Sequence, residues 1–221
     1  MISSFHFTTK DTAFVATSNG LIQYVLTANG LNALTVYNSF SDNEIRGVKS
    51  LKNNKLLIGT KNRGVFVLDI GTKSVVKKLE LNLASNIEEL NEISFDESSN
   101  IWLSGSNGVL RFQLNEKFLV ENEKFFNSNN GLSNENIKTV FVDRENTYWF
   151  GSYGDGLYSV GEEYFSLVDK NSGLFAKSVN VIHNEKDSLL WLATDKGISV
   201  LDISKSISDN KIKSYLIYFF R

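Results

Sequence analysis

One short phrase recurs five times along the chain, and its spacing constrains the fold more than any other feature. It reads Phe14-Val-Ala-Thr-Ser-Asn-Gly20, Leu57-Ile-Gly-Thr-Lys-Asn-Arg-Gly64, Trp102-Leu-Ser-Gly-Ser-Asn-Gly108, Trp149-Phe-Gly-Ser-Tyr-Gly-Asp-Gly156 and Trp191-Leu-Ala-Thr-Asp-Lys-Gly197. Each copy has a large apolar residue, a second apolar residue, small residues, a polar turn and a glycine. The leading residues fall at 14, 57, 102, 149 and 191, in steps of 43, 45, 47 and 42. A steady period in the forties, built from strand-like units, predicts a β-propeller with one four-stranded blade per repeat. The expected fold is all-β with about five blades, at 1–40, 41–82, 83–127, 128–169 and 170–221.

The fourth repeat shows the plan of a blade. A polar loop, Gly131 to Asn136, leads into Ile137-Lys-Thr-Val-Phe-Val142, a short strand rich in β-branched residues. Asp143 to Asn146 supply turn chemistry, because Asp and Asn side chains satisfy nearby backbone groups. Thr147-Tyr-Trp-Phe-Gly151 is a second strand with apolar residues on both faces, as expected between stacked blades. Leu157 to Val160 and Tyr164 to Val168 complete a meander. The recurring glycine at 20, 64, 108, 156 and 197 suits a positive φ or a close approach of the neighbouring blade. Trp102, Trp149 and Trp191 share one blade position and are expected to be buried wedges between blades rather than sugar platforms.

Composition closes off several function classes. The 221 residues carry 23 basic and 25 acidic side chains, a net charge of −2, which leaves no electrostatic footprint for nucleic acid. Cysteine is absent, so disulfides and thiolate metal sites are excluded. The Met1 to Lys10 segment reads as a strand and not as a signal peptide. The apolar tail Tyr215-Leu-Ile-Tyr-Phe-Phe220 falls far short of the roughly 18 residues of a membrane helix, so no membrane contact is expected within this segment.

The phrase Gly131-Leu-Ser-Asn-Glu-Asn-Ile137, then Asp143, Tyr148-Trp-Phe-Gly-Ser152 and Gly156-Leu-Tyr158, resembles the two-component regulator propeller repeat. Gly173-Leu174 with Val179, Trp191, Thr194 and Gly197 is a second match, while Phe14 stands where that repeat usually has Trp. The resemblance implies the extracytoplasmic sensor region of a carbohydrate-responsive hybrid regulator, periplasmic or otherwise outside the cytoplasm, in which rings of seven blades are usual. On that basis the five repeats are expected to be an arc of a larger, seven-bladed type of ring and part of a longer sensor chain. A truncated reading frame and a closed five-bladed ring are the alternatives. An open arc is expected to leave the Met1–Thr8 and Ile198–Phe220 sides unpaired and to self-associate through them.

Catalytic chemistry finds little foothold. The two histidines, His6 and His183, lie in strand-like apolar contexts and read as packing or surface residues. Adjacent carboxylates (Glu88-Glu89, Asp96-Glu97, Glu162-Glu163) point to opposite faces of a strand, which suits solvated turns better than an acid/base pair. The G-x-x-G-x-G run from Gly151 to Gly156 has strands on both sides and no helix N-terminus to cradle phosphate. No metal or cofactor is expected. Binding candidates are instead the loops that converge on one face of a propeller: Lys61, Arg63, Tyr153, Asp155 and Lys196. Tyr153 is suited to stacking on a sugar, and Arg63 to pairing with a carboxylate or sulfate. The expected function is a non-catalytic ligand-sensing or interaction propeller for a glycan or other small molecule. The alternatives are a small propeller lyase or lactonase, resembling the streptogramin lyase group, and a scaffold in a surface or secretion complex.

Overall fold

The computed structural model describes the chain except residues 42, 83–86, 88, 145, 161–164, 170–171, 175, 186–187, 204–212 and 217–221. Five antiparallel meanders follow one another. The first is β1 (Ile2–Thr9), β2 (Thr12–Thr17), β3 (Gly20–Thr27) and β4 (Gly30–Tyr37). The second is β5 (Ile45–Leu51), β6 (Lys55–Thr60), β7 (Gly64–Asp69) and β8 (Ser74–Lys78). The third is β9 (Leu90–Phe95), β10 (Ile101–Gly105), β11 (Gly108–Leu114) and β12 (Val120–Phe126). The fourth is β13 (Ile137–Val142), β14 (Tyr148–Ser152), β15 (Leu157–Val160) and β16 (Phe165–Val168). The fifth is β17 (Val179–Glu185), β18 (Leu189–Thr194), β19 (Gly197–Asp202) and β20 (Lys213–Leu216). Each forms its own sheet in sequence order, and the first strands pack on one another from blade to blade. The molecule is a β-propeller of five four-stranded blades.

The glycine that opens the third strand, or in the fourth blade immediately precedes it, has positive φ in every blade, from 86° at Gly156 to 140° at Gly108. At Gly108 a Cβ would also lie 2.5 Å from the Phe126 carbonyl oxygen, so backbone conformation and packing both demand glycine there.

The core consists of four clusters, one in each seam between consecutive blades. Phe14, Leu21, Tyr37 and Phe40 meet Ile45, Leu56 and Ile58 in the first seam. Leu57, Val65 and Val67 meet Ile93, Leu103 and Leu110 in the second. In the third, Trp102 is fully buried under Phe126, Tyr148 and Phe150, with ring centroids 5.8, 4.7 and 6.0 Å away. Trp149 fills the same place in the fourth seam, among Leu157, Val179 and Leu192. Both indoles are also clamped from the first turn of their own blade. Trp102 Nε1 donates to Asp96 at 3.0 Å, and Trp149 Nε1 donates to Asp143 at 2.8 Å.

Trp191 departs from expectation. It holds the equivalent register, opposite His183 and Val200, yet is 37% exposed. It alternates with Leu190 and Leu192, which fill the fourth seam, and so lies on the opposite face of the fifth blade. The outward face of the first blade is similarly bare, with Phe5 and Phe7 in edge-to-face contact and more than half exposed. Among the described residues β1 pairs with β2 alone and β20 with β19 alone, so each is an edge strand of its sheet, and the open ends present both a strand edge and a blade face. Residues 217–220 of the apolar tail, together with Glu88, Glu162 and Glu163, lie outside the described residues.

Candidate functional site

Every first strand carries the same irregularity, and it sets up the site. Pairing of first and second strands skips one residue near the start of the blade: Ser3, Arg46, Asn91, Lys138 and Asn180. Each of these β-bulges lies 11 residues before the leading residue of the repeated phrase. A bulge re-aims its extra side chain out of the pleat. All five bulged residues are polar, and each follows a large apolar residue (Ile2, Ile45, Leu90, Ile137, Val179). Because the first strands form the inner edge of the propeller, the bulges place these side chains around the mouth of the central channel.

In the second to fourth blades the bulged side chains meet. Arg46 Nη2 is 2.7 Å from Glu44 Oε1, and Lys61 Nζ bridges Glu44 at 3.6 Å and Glu89 at 3.5 Å. Lys138 Nζ donates to Asn91 Oδ1 at 3.5 Å and lies 5.1 Å from the centre of the Tyr153 ring. Asn91 Nδ2 in turn donates to the Ile137 carbonyl at 2.8 Å. Burial first, and then the Arg46 guanidinium, hold the Lys138 amine below the usual lysine range, with Glu89 pulling the other way. One residue further along β9, the Glu92 carboxylate accepts the Val140 N–H at 3.1 Å, and burial pushes its pKa up.

The residues expected from sequence all lie in second-to-third strand turns, and the structure joins only some of them. Lys61 and Tyr153 belong to the charged mouth, linked through Glu89 and Lys138. Arg63 is turned toward Asn43, donating from Nη1 to Oδ1 at 2.7 Å. Asp155 is committed to its own blade: its Oδ2 accepts from the Tyr158 hydroxyl at 2.5 Å and from Ser133 Oγ at 3.2 Å. Burial and that carboxylate push the Tyr158 hydroxyl up to about 12, so it remains a proton donor. Lys196 is exposed in the fifth blade, and its ammonium has no partner among the described residues. Sequence reasoning missed Arg46, Asn91 and Lys138. The fixed offset of a polar residue 11 places before each leading residue was the available signal.

Two cavities flank the seam between the second and third blades. One, of about 320 Å³, opens beside Lys61, Arg63 and Lys78 over a floor that includes Val65, Leu79 and Leu90. The other, of about 700 Å³, is on the opposite face, walled by Phe95 and Phe118, and contains none of the residues expected from sequence. Among the described residues no three His, Cys, Asp or Glu side chains are grouped to hold a metal ion. No described helix is long and apolar enough to cross a membrane.

The comparisons agree with this architecture. No curated protein matches the chain. The extracellular domain of a protein described as a hybrid two component system, from B. thetaiotaomicron, superposes with a TM-score of 0.75 at 18% identity, covering 100% of this chain and 31% of that one. A second such domain from the same organism gives 0.65 at 17% identity, covering 97% of this chain and 34% of that one. Virginiamycin B lyase from Staphylococcus aureus gives 0.68 at 11% identity, covering 98% of this chain and 70% of the lyase. The chain thus spans about a third of the length of the two extracellular domains. Residues 131–154, the loop and first two strands of the fourth blade, match the family model of the two component regulator propeller.

Proposed function

We propose that this chain is a non-catalytic ligand-sensing or interaction propeller of an extracytoplasmic sensor, with its blades divided at 1–40, 41–82, 83–127, 128–169 and 170–221. The observation that carries the reading is the channel mouth, where three blades contribute the bulged residues Arg46, Asn91 and Lys138, with the exposed Tyr153 beside Lys138. Support comes from the likeness to extracellular domains of hybrid two component systems and from the repeat at 131–154. The carboxylates near the mouth argue in the same direction. Glu44 and Glu89 are engaged with cations, and Asp155 is engaged with Tyr158, so none is set as a free general base. The bare faces of the first and fifth blades fit an arc of a larger ring in a longer chain.

The likeness to the lyase gives a catalytic reading its one foothold. The test is a panel of mono- and oligosaccharides and small organic acids, with binding located by amide chemical-shift changes. Ligands perturbing the amides around Arg46, Asn91 and Lys138, with no product detected by mass spectrometry, fit the proposal. Ring opening of a streptogramin-type lactone by this chain would sink it, as would a panel in which nothing reaches the mouth.

A further inference from the structure

We propose that the mouth formed by the second to fourth blades selects acidic sugars: a hydroxylated ring bearing one carboxylate or sulfate, its anion held between Arg46 and Lys138 and its face laid on Tyr153. This rests on the sensing reading above and adds the chemistry of the ligand to it.

The argument starts from unequal pairing of the cations. Arg46 and Lys61 already share Glu44 and Glu89, whereas Lys138 has no carboxylate within ion-pair distance among the described residues. Lys138 is partly withdrawn from water, faces the like charge of Arg46 against a weaker pull from Glu89, and among the described residues is bonded to neutral Asn91 and the Tyr153 ring. An anion arriving there offsets both the lost hydration and the repulsion, and accepts charge-assisted hydrogen bonds. The buried Arg46 Nε also lacks a hydrogen-bond partner, which leaves one donor of the guanidinium unspent.

The remaining groups favour a polyol over a simple anion. Glu44 and Glu89 are only partly shielded, with 34% and 53% of their side chains exposed, so they remain acceptors for hydroxyl groups. Asn91 offers a further amide. Tyr153 is 58% exposed, leaving ring surface for the C–H face of a sugar. The two carboxylates also repel a compact dianion, which restricts the ligand to a single well-placed negative group with hydroxyls around it.

The test is calorimetric titration of the full 221-residue chain with glucuronate, glucose 6-sulfate and glucose. Binding of either acidic sugar at least about tenfold tighter than glucose is expected, weakening with added salt. The headgroup that binds better identifies whether a carboxylate or a sulfate is read. Lys138→Gln should weaken the acidic sugar by about tenfold or more, the scale of a charge-assisted hydrogen bond. Lys52→Gln, a surface charge change on the opposite face, should leave it unchanged. Circular dichroism of Lys138→Gln separates lost binding from lost fold, and Arg46→Gln serves in its place if the first variant is unfolded. Glucose binding at the mouth as tightly as the acidic sugars overturns this inference and leaves the sensing reading intact. Failure of all three sugars to shift the mouth amides overturns this inference too, while the sensing reading stands or falls with the wider panel.

Discussion

The indole of Trp102 and the indole of Trp191 occupy the same position in their blades and live in different solvents. The first is fully buried and stacked on Phe126, while the second is 37% exposed. Both sit in the second strand of a blade at the same register, so the blade itself does not bury its tryptophan. The next blade does. In a repeat array a residue's energetic weight is set at the interface with its neighbour, and an end repeat keeps the sequence of an interior one without its stabilisation. The turn below tells the same story. Asp143 clamps Trp149 in the fourth blade, while the matching position below Trp191 is Glu185, for which no such clamp is seen.

Replacing both tryptophans by alanine should separate the two environments most. Trp102→Ala should cost about 3–5 kcal/mol, the range for emptying a packed aromatic site. Trp191→Ala should cost under about 1 kcal/mol, and urea midpoints of the two variants compare them directly. Equal losses would mean that the fifth blade's outward face is covered in solution. The next contrast uses the position two residues further on. A Cβ at Gly151 would meet Thr139 Cγ2 at 2.7 Å and the Val179 carbonyl at 2.9 Å, whereas Ala193 already carries its methyl in the open. Gly151→Ala should destabilise by about 1–3 kcal/mol through overpacking, while Ala193→Ser should leave the thermal midpoint within a degree or so.

The clamp is a smaller effect. Asp143→Asn keeps one acceptor oxygen and should cost about 1 kcal/mol, and Glu185→Gln should be silent in the same denaturation assay. Smallest, and opposite in sign, is Glu92 in the third seam. Burial raises its pKa above 4.5, against the bonds from Thr139 and Val140 and the charge of Lys49. A raised folded pKa means that the ionised carboxylate opposes folding at higher pH; the penalty is full above the folded pKa, fades as pH falls through it and is gone below the unfolded value. Glu92→Gln should therefore raise stability at pH 7, with the gain disappearing as pH drops toward the unfolded value of 4.5. A gain that persists in acid would assign the effect to packing instead of charge.

The architecture was legible because five repeats spell the same strand alternation and turn glycine at nearly one period. The glycines at 20, 64, 108, 156 and 197 all take the positive φ expected of them. The burial of Trp191 was not legible, because no local pattern encodes whether a neighbouring blade is present. The site was half legible for a related reason. Turn residues announce themselves by composition, which brought Lys61 and Tyr153 forward, but it brought Asp155 forward equally, and that side chain is occupied inside its own blade. Arg46, Asn91 and Lys138 sit inside strands, where a polar residue beside an isoleucine or leucine reads as ordinary alternation. Only the pairing register shows that the ladder steps over them.

That stepped-over residue has a consequence for how such a molecule changes over generations. A side chain in the ladder answers to the seam it fills, and altering it is paid for in folding. The bulged residue belongs to neither face of the pleat, so the chain folds with serine, arginine, asparagine or lysine in the same slot. Five such slots, one per repeat, form a short alphabet written on an indifferent page. Selection can respell the rim of the channel one letter at a time, and the grammar that folds it stays untouched.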